Sequence, residues 1–129
     1  MKEKGIQYPR IHLVVDNCFA IKRWVEPADW MRKVQQIGNI RYIQASTDNE
    51  IDPSHNTQAF RDEWVEKVRK CEQEMGLKVV SFYSGYATYR TVGIASLSKE
   101  KRQAMIEKYF KPTVDVAACL GAQVGNTLS

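Results

Sequence analysis

Apolar residues along this chain alternate between short continuous runs and longer segments with periodic spacing. The runs 11–15, 40–45 and 77–82 are rich in β-branched and apolar residues, and each leads into a polar stretch. Short apolar runs bounded by polar or turn residues are typical of buried strands. A weaker version of the pattern covers 122–129. We predict four β-strands at these positions.

Between the predicted strands lie segments whose apolar residues recur at helical spacing. Pro27 begins the first of them, and Trp30, Val34 and Ile37 follow at steps of four and three. Proline is favoured in the first turn of a helix, where its missing N–H costs nothing. The second segment carries a longer apolar stripe, made by Phe60, Trp64, Val68, Cys71 and Met75. Both patterns predict amphipathic helices.

A third helix is predicted after the third strand. Ser98 is a suitable N-cap and Gly121 a suitable terminator, because glycine readily adopts the left-handed conformation that ends many helices. Pro112 lies inside this helix and removes a backbone donor, so we expect a kink there. Gly76 is expected to end the second helix in the same way as Gly121.

The resulting order is βαβαβαβ, which predicts an α/β fold with parallel strands joined by right-handed crossovers. The 129 residues are expected to form a single domain, 1–129. A sheet of four parallel strands would leave two unpaired edges and an apolar face. The pattern therefore predicts that further chain or a partner covers them, and we expect a homo-oligomer.

Charge and cysteine content narrow the function classes. The net charge is +4, but no basic run exceeds two residues, so we do not expect nucleic-acid binding. The three cysteines are widely spaced and form no metal-binding pattern, which favours free thiols in a reducing compartment. No apolar stretch is long enough for a membrane span or a signal peptide. These features predict a cytoplasmic protein that does not contact membranes.

Polar groups follow the predicted strands, where ligands bind in parallel α/β folds. Asp16 and Asn17 end the first strand, Ser46 follows the second, and Tyr83 ends the third. Hydroxyl, amide and carboxylate groups together can hold a polyol by many hydrogen bonds. Aromatic residues are frequent in the loop after the third strand, and such rings can stack on the apolar faces of sugars or anchor the loop.

Short stretches in the predicted third helix and fourth strand are similar to those of a known protein family. Three short stretches carry the resemblance: Leu97-Ser98-Lys99-Glu100-Lys101-Arg102, Val116-Ala117-Ala118-Cys119-Leu120-Gly121-Ala122, and Val124-Gly125. They are similar to stretches of the xylose-isomerase-like TIM barrels. That superfamily includes sugar isomerases, sugar epimerases and endonuclease-IV-type enzymes. The resemblance covers nearly the whole chain. It implies the N-terminal half of a (β/α)8 barrel, which needs about 250 residues when complete.

The resemblance further implies a sugar or sugar-phosphate isomerase or epimerase. In this family a divalent metal, Mn or Mg, assists proton transfer between adjacent carbons. Its ligands come from the second half of the barrel, so no metal ligand and no catalytic residue is assigned to this chain. The first half contributes part of the substrate pocket, at positions that correspond to Asp16, Asn17, Phe19, Ser46, Tyr83, Tyr86 and Arg90.

Two other interpretations remain open. The chain could be a small flavodoxin-like module, although the acidic and lysine positions of a receiver domain are mostly missing. It could also be a non-catalytic half-barrel that pairs with another chain for binding or assembly. In either form, we expect the 129-residue chain to be inactive as an isomerase when isolated.

Overall fold

The computed structural model describes Gly5 and residues 10–21, 23–84 and 93–124. Its four strands are β1 (Val14–Asp16), β2 (Tyr42–Ser46), β3 (Lys78–Tyr83) and β4 (Gln123–Val124). They form one sheet in the order β1-β2-β3-β4, and all three pairings are parallel. The predicted α/β class with parallel strands is therefore confirmed.

Helices connect each strand to the next. They are α1 (Pro27–Gln36), the short α2 (Thr47–Glu50), α3 (Gln58–Met75), α4 (Lys99–Met105) and α5 (Lys111–Leu120). Short 3-10 turns cover Asn17–Ala20 and Gly93–Ala95. Within the described part of the chain, no helix combines the length and the apolar character that crossing a membrane requires.

Local sequence signals account for the helix ends. Pro27 occupies the first turn of α1, and the Thr57 side chain caps α3 by accepting from the Phe60 N–H at 3.2 Å. Ser98 caps α4 by accepting from the Lys101 N–H at 3.3 Å. Gly76 and Gly121 end α3 and α5 with φ of +65°, a conformation that costs a residue with a Cβ about 1 kcal/mol or more.

Pro112 disrupts the third predicted helix in a specific way. The residues just before it, Ile106–Phe110, form a π-helical turn between α4 and α5. Pro112 has no N–H to donate to the carbonyl four residues back, and its ring crowds that carbonyl, so the wider π turn relieves the conflict. The disruption expected at this proline thus takes the form of a π turn.

The strand order determines the architecture. Each strand lies beside its predecessor and the order never reverses, so right-handed crossovers place every connecting helix on the same face of the sheet. A doubly wound flavodoxin-like sheet instead reverses its order and covers both faces. The sheet found here has the order of a (β/α)8 barrel, which does not support the flavodoxin-like interpretation.

The core fills the space between the helices and one face of the sheet. Its largest fully buried side chains include Trp30, Met31, Ile43 and Phe82. The pairing of β2 with β3 shifts by one residue between Ile43 and Gln44, which leaves Val80 as the extra residue on β3. This bulge keeps Val79 and Phe82 both buried, although their spacing of three would otherwise place them on opposite faces.

Two strand boundaries and the burial of one residue differ from the predictions. The strand predicted over 11–15 pairs only from Val14, because β2, its neighbour among the described residues, begins at Tyr42. Ile11 and Leu13 are 88% and 72% exposed. The fourth strand is two residues long within the described part, and 125–129 lie outside it. Phe60, predicted for the apolar stripe of α3, lies in the first turn of the helix and is 42% exposed.

Candidate functional site

The carboxyl ends of β1 and β3 are joined across β2 by side chains. The Tyr83 hydroxyl donates to Asp16 Oδ1 at 3.0 Å and also contacts the Cys18 thiol. The same Asp16 oxygen accepts from the Cys18 N–H at 2.6 Å and so caps the 3-10 turn that follows β1. Asp16 pairs in register with Gln44, and Ser46 with Tyr83, so these groups meet at one end of the sheet.

Both titratable partners of Asp16 are held in their neutral forms. Burial raises the pKa of Tyr83 above its usual value, and the contact with Cys18 and the charge of Asp16 add to the increase. Burial also raises the pKa of the Cys18 thiol, with a further contribution from Asp16. Tyr83 is therefore a hydrogen-bond donor at neutral pH. Cys18 is a thiol rather than the thiolate that nucleophilic catalysis needs.

Asn17 and Ser46 lie beneath this surface. Both are almost fully buried, at 2% and 1% exposure. The Asn17 side chain accepts from the Ser46 N–H at 2.9 Å and donates to Glu50 Oε1 at 2.9 Å. Ser46 Oγ accepts from the Asn49 side chain at 2.8 Å. These two predicted residues hold the ends of β1 and β2 together from within.

Glu50 is the centre of a cage of N–H donors. Its Oε2 accepts from the indole nitrogens of Trp30 at 3.2 Å and Trp64 at 3.0 Å, and its Oε1 accepts from Asn17. Burial raises the pKa of Glu50 from 4.5 to about 7, although the three donors favour the carboxylate. Glu50 therefore joins α1, α2, α3 and the turn after β1 through one partly buried carboxyl group.

A cleft of about 270 Å³ opens between the start of α1 and the first turns of α3. Glu50 and Trp64 lie in its wall, with Val25, Pro27 and Phe60 as apolar neighbours. Lys67 at the same cleft pairs with Glu26 and with Glu63, at 3.0 Å in each case. Of the described residues that we predicted for the substrate pocket, none lines this cleft, so it is separate from the Asp16–Tyr83 surface.

A second polar cluster links α2, the residue after β3 and the π turn. Ser84 Oγ donates to Asp48 Oδ1 at 2.8 Å and lies 2.7 Å from the Tyr109 hydroxyl, which itself donates to Asp48. Burial raises the pKa of Tyr109 above its usual value, and the Asp48 carboxylate adds to the increase. The neutral phenol thus anchors the third crossover to the carboxyl end of the sheet.

Phe19 is the remaining predicted residue within the described part of the chain. Phe19 is 38% exposed and its ring packs against Trp24, with the centroids 6.1 Å apart. Lys33 lies over the Trp24 ring, 5.3 Å from its centroid. Tyr86 and Arg90 are outside the described residues.

The described residues do not fit the divalent metal of the xylose-isomerase-like barrels. In the ranges that the structure describes, no group of three or more His, Cys, Asp or Glu side chains could hold a metal ion. Asp16, Asp48 and Glu50 are each engaged by N–H or O–H donors. A metal-assisted step cannot be built on these groups.

Sequence reasoning missed the cage around Glu50 and the role of Tyr109. Glu50 is only one residue of a polar stretch after the second strand, and Tyr109 has the spacing of an apolar helix position. Two tryptophans at the start of neighbouring crossover helices were the available signal, because a buried indole N–H needs an acceptor. Asp48 and Ser84 were visible as polar residues at strand ends.

Comparison with known proteins identifies the class of fold. No family model matches the chain, and no curated protein matches it. Among solved structures, a protein from Rhodospirillum rubrum titled "Putative Xylose isomerase" is similar, with a TM-score of 0.76 and 25% sequence identity over 91% of this chain. The similar region is 39% of the Rhodospirillum rubrum chain. The structure is thus similar to part of a xylose-isomerase-like TIM barrel, and the predicted fold is confirmed.

Proposed function

We propose that this chain contributes part of the sugar pocket of an isomerase or epimerase of the xylose-isomerase-like type. The observation that supports the proposal most is the meeting of Asp16 and Tyr83 at the carboxyl ends of β1 and β3, in a fold similar to the Rhodospirillum rubrum protein. Ligands of parallel α/β barrels bind at this end of the sheet. The pocket then takes a small aldose or ketose, free or phosphorylated.

The two surface groups suit a polyol. Asp16 is an exposed carboxylate that can accept from sugar hydroxyls, and the neutral Tyr83 hydroxyl can exchange its bond to Asp16 for one to the sugar. Asn17 and Ser46 act as positioning residues, because their amide and hydroxyl groups fix the strand ends from below. Phe19, Tyr86 and Arg90 complete the proposed wall.

The proton transfer itself belongs, in this proposal, to the complete enzyme. A divalent metal, Mn or Mg, held by residues other than those described here would polarise the sugar oxygens. The isolated 129-residue chain is expected to bind sugar weakly and to convert none. The proposal also includes a cytoplasmic location, a compartment in which Cys18, Cys71 and Cys119 stay reduced.

The test is a titration of the chain with D-xylose, D-xylulose and D-fructose, followed by NMR. Asp16→Asn keeps the turn cap, because asparagine caps as well as aspartate, but it removes the charged acceptor. Losing a hydrogen bond to a charged group costs about 1.5–3 kcal/mol, so the affinity for the preferred sugar should fall about tenfold or more. Asp115→Asn, at an exposed position of α5, is the matched control.

Equal affinities in Asp16→Asn and Asp115→Asn would contradict the assignment of Asp16 to the pocket. Metal-dependent turnover of any of these sugars by the isolated chain would contradict the assignment of catalysis to residues outside it. Unchanged spectra with all three sugars would argue against a sugar pocket at this end of the sheet.

A further inference from the structure

The sheet has one face that the described helices do not cover. Right-handed crossovers place these helices on the other face, where Ile43, Ala45 and Phe82 are fully buried in the core. Side chains alternate between the two faces along a strand. Gln44, between Ile43 and Ala45, and Ser81, next to Phe82, therefore point to the uncovered face. In a (β/α)8 barrel this face lines the interior.

A row of polar residues crosses the uncovered face in register. Asp16 pairs with Gln44, Gln44 with Ser81, and Ser81 with Gln123. Residues paired in this way point to the same face, with neighbouring strands about 4.8 Å apart. The row thus places a carboxylate, two carboxamides and a hydroxyl side by side on four adjacent strands.

Packing and stability do not explain the polar groups in the middle of this row. Barrel interiors are usually filled with bulky branched apolar side chains. Gln44 and Ser81 are partly buried, and no hydrogen bond joins either side chain to another described residue. A polar group that is withdrawn from water without a protein partner lowers stability. Residues of this kind are common where a protein binds a ligand at the expense of stability.

The middle of the row lies next to the surface formed by Asp16 and Tyr83. Ser46, two residues after Gln44, pairs with Tyr83. The Tyr83 hydroxyl reaches Asp16 on β1, so the Tyr83 side chain crosses β2 on the carboxyl side of Gln44. A molecule that binds between Asp16 and Tyr83 therefore has Gln44 as its neighbour on the side of the barrel interior.

We propose that Gln44 and Ser81 form the floor of the sugar pocket and bind hydroxyl groups of the substrate directly. This inference rests on the proposed function, because it extends the same pocket toward the barrel interior. A carboxamide and a hydroxyl both donate and accept hydrogen bonds, as sugar hydroxyls do. The row carries the charge of Asp16 and no cation, so the part of the sugar over it bears hydroxyl groups and no phosphate.

Replacing Gln44 by leucine tests the floor. Leucine removes the polar groups and suits a barrel interior. In NMR titrations with D-xylose, D-xylulose and D-fructose, Gln44→Leu should bind the preferred sugar about threefold to tenfold more weakly, the effect of losing a neutral hydrogen bond. The urea midpoint should not fall, because no protein hydrogen bond is lost. Gln73→Leu, at an exposed position of α3, is the matched control and should bind as wild type does.

Two further measurements do not depend on this substitution. The side-chain NH2 signals of Gln44 in the wild-type chain should shift on adding the preferred sugar, while those of Gln73 should not. Ser81→Ala, which removes only a hydroxyl, should also weaken binding about threefold. A residue that merely supported the fold would show neither effect without a loss of stability.

Weaker sugar binding by Gln44→Leu with an undiminished urea midpoint supports the proposal. Equal affinities of Gln44→Leu and Gln73→Leu, while Asp16→Asn still weakens binding, would overturn the floor and leave the proposed function intact. A lowered midpoint with unchanged affinity would make Gln44 a structural residue and overturn the floor as well. Unmoved Gln44 NH2 signals at saturating sugar would do the same, and an absence of sugar binding by wild type would overturn both proposals.

Discussion

Glu50 is predicted to make the stability of the fold depend on pH in a direction opposite to that of most carboxylates. Burial raises its pKa from 4.5 to about 7 in the folded chain. Between these values the folded state binds more protons than the unfolded state, so the free energy of unfolding falls as pH rises. At about 1.4 kcal/mol for each tenfold change in proton affinity, the total effect of this one group is about 3 kcal/mol.

Replacing Glu50 by glutamine removes the titration and nearly preserves the shape. Glutamine is neutral like the protonated acid, but its NH2 group donates hydrogen bonds and accepts none, so at least one of the three N–H donors loses its acceptor. Glu50→Gln should therefore be less stable than wild type near pH 5. The stability of the variant relative to wild type should then rise by about 2.5 kcal/mol between pH 5 and pH 8, as Glu50 of the wild type loses its proton.

Urea unfolding at pH 5, 6, 7 and 8, at one protein concentration, measures this difference. Glu26, Glu63 and Lys67 line the same cleft and are present in both proteins, so their titration cancels in the comparison. Glu100→Gln, at an exposed position of α4, is the control and should follow the wild-type pH dependence. Parallel curves for wild type and Glu50→Gln would refute the reasoning.

Two further predictions concern the polar cluster and a helix end. Tyr109→Phe removes the hydroxyl that contacts Asp48 and Ser84, and should lower the free energy of unfolding by about 1–3 kcal/mol in urea titrations; an unchanged midpoint would contradict the anchoring role. Gly76→Ala should lower the free energy of unfolding by about 1 kcal/mol, because φ is +65° at this position. Steric crowding does not contribute, since the added Cβ would meet its nearest atom at 3.5 Å. Gly5→Ala, where an added Cβ would meet no atom within 4 Å, should leave the free energy of unfolding unchanged. An equal loss of stability in both variants would contradict the explanation by the positive φ of Gly76.

The sequence was sufficient for the features that depend on local physics. Helix starts at Pro27 and Ser98 and ends at Gly76 and Gly121 were all predicted correctly, because capping and left-handed glycine conformations are set by a few neighbouring residues. Parallel pairing followed from the alternation of strands and helices. The convergence of polar strand ends followed from parallel pairing.

Features that depend on contacts between distant elements were not predicted. The Glu50 cage requires Trp30 of α1 and Trp64 of α3 to reach one carboxyl group, which depends on how the two helices pack on the sheet. The true start of β1 depends on where β2 offers a partner rather than on the propensity of residues 11–13. The buried positions of Asn17 and Ser46 likewise follow from packing, since a polar residue at a strand end can face either inward or outward.

Residue-resolved NMR of the sugar titration tests the central claim most directly. The account predicts that amide shifts on adding the preferred sugar concentrate at Asp16, Cys18 and Tyr83 and spare the cleft around Phe60 and Lys67, because the pocket lies at the carboxyl ends of the strands. Shifts confined to that cleft, or an absence of shifts at saturating sugar, would contradict the assignment of a sugar pocket to this end of the sheet.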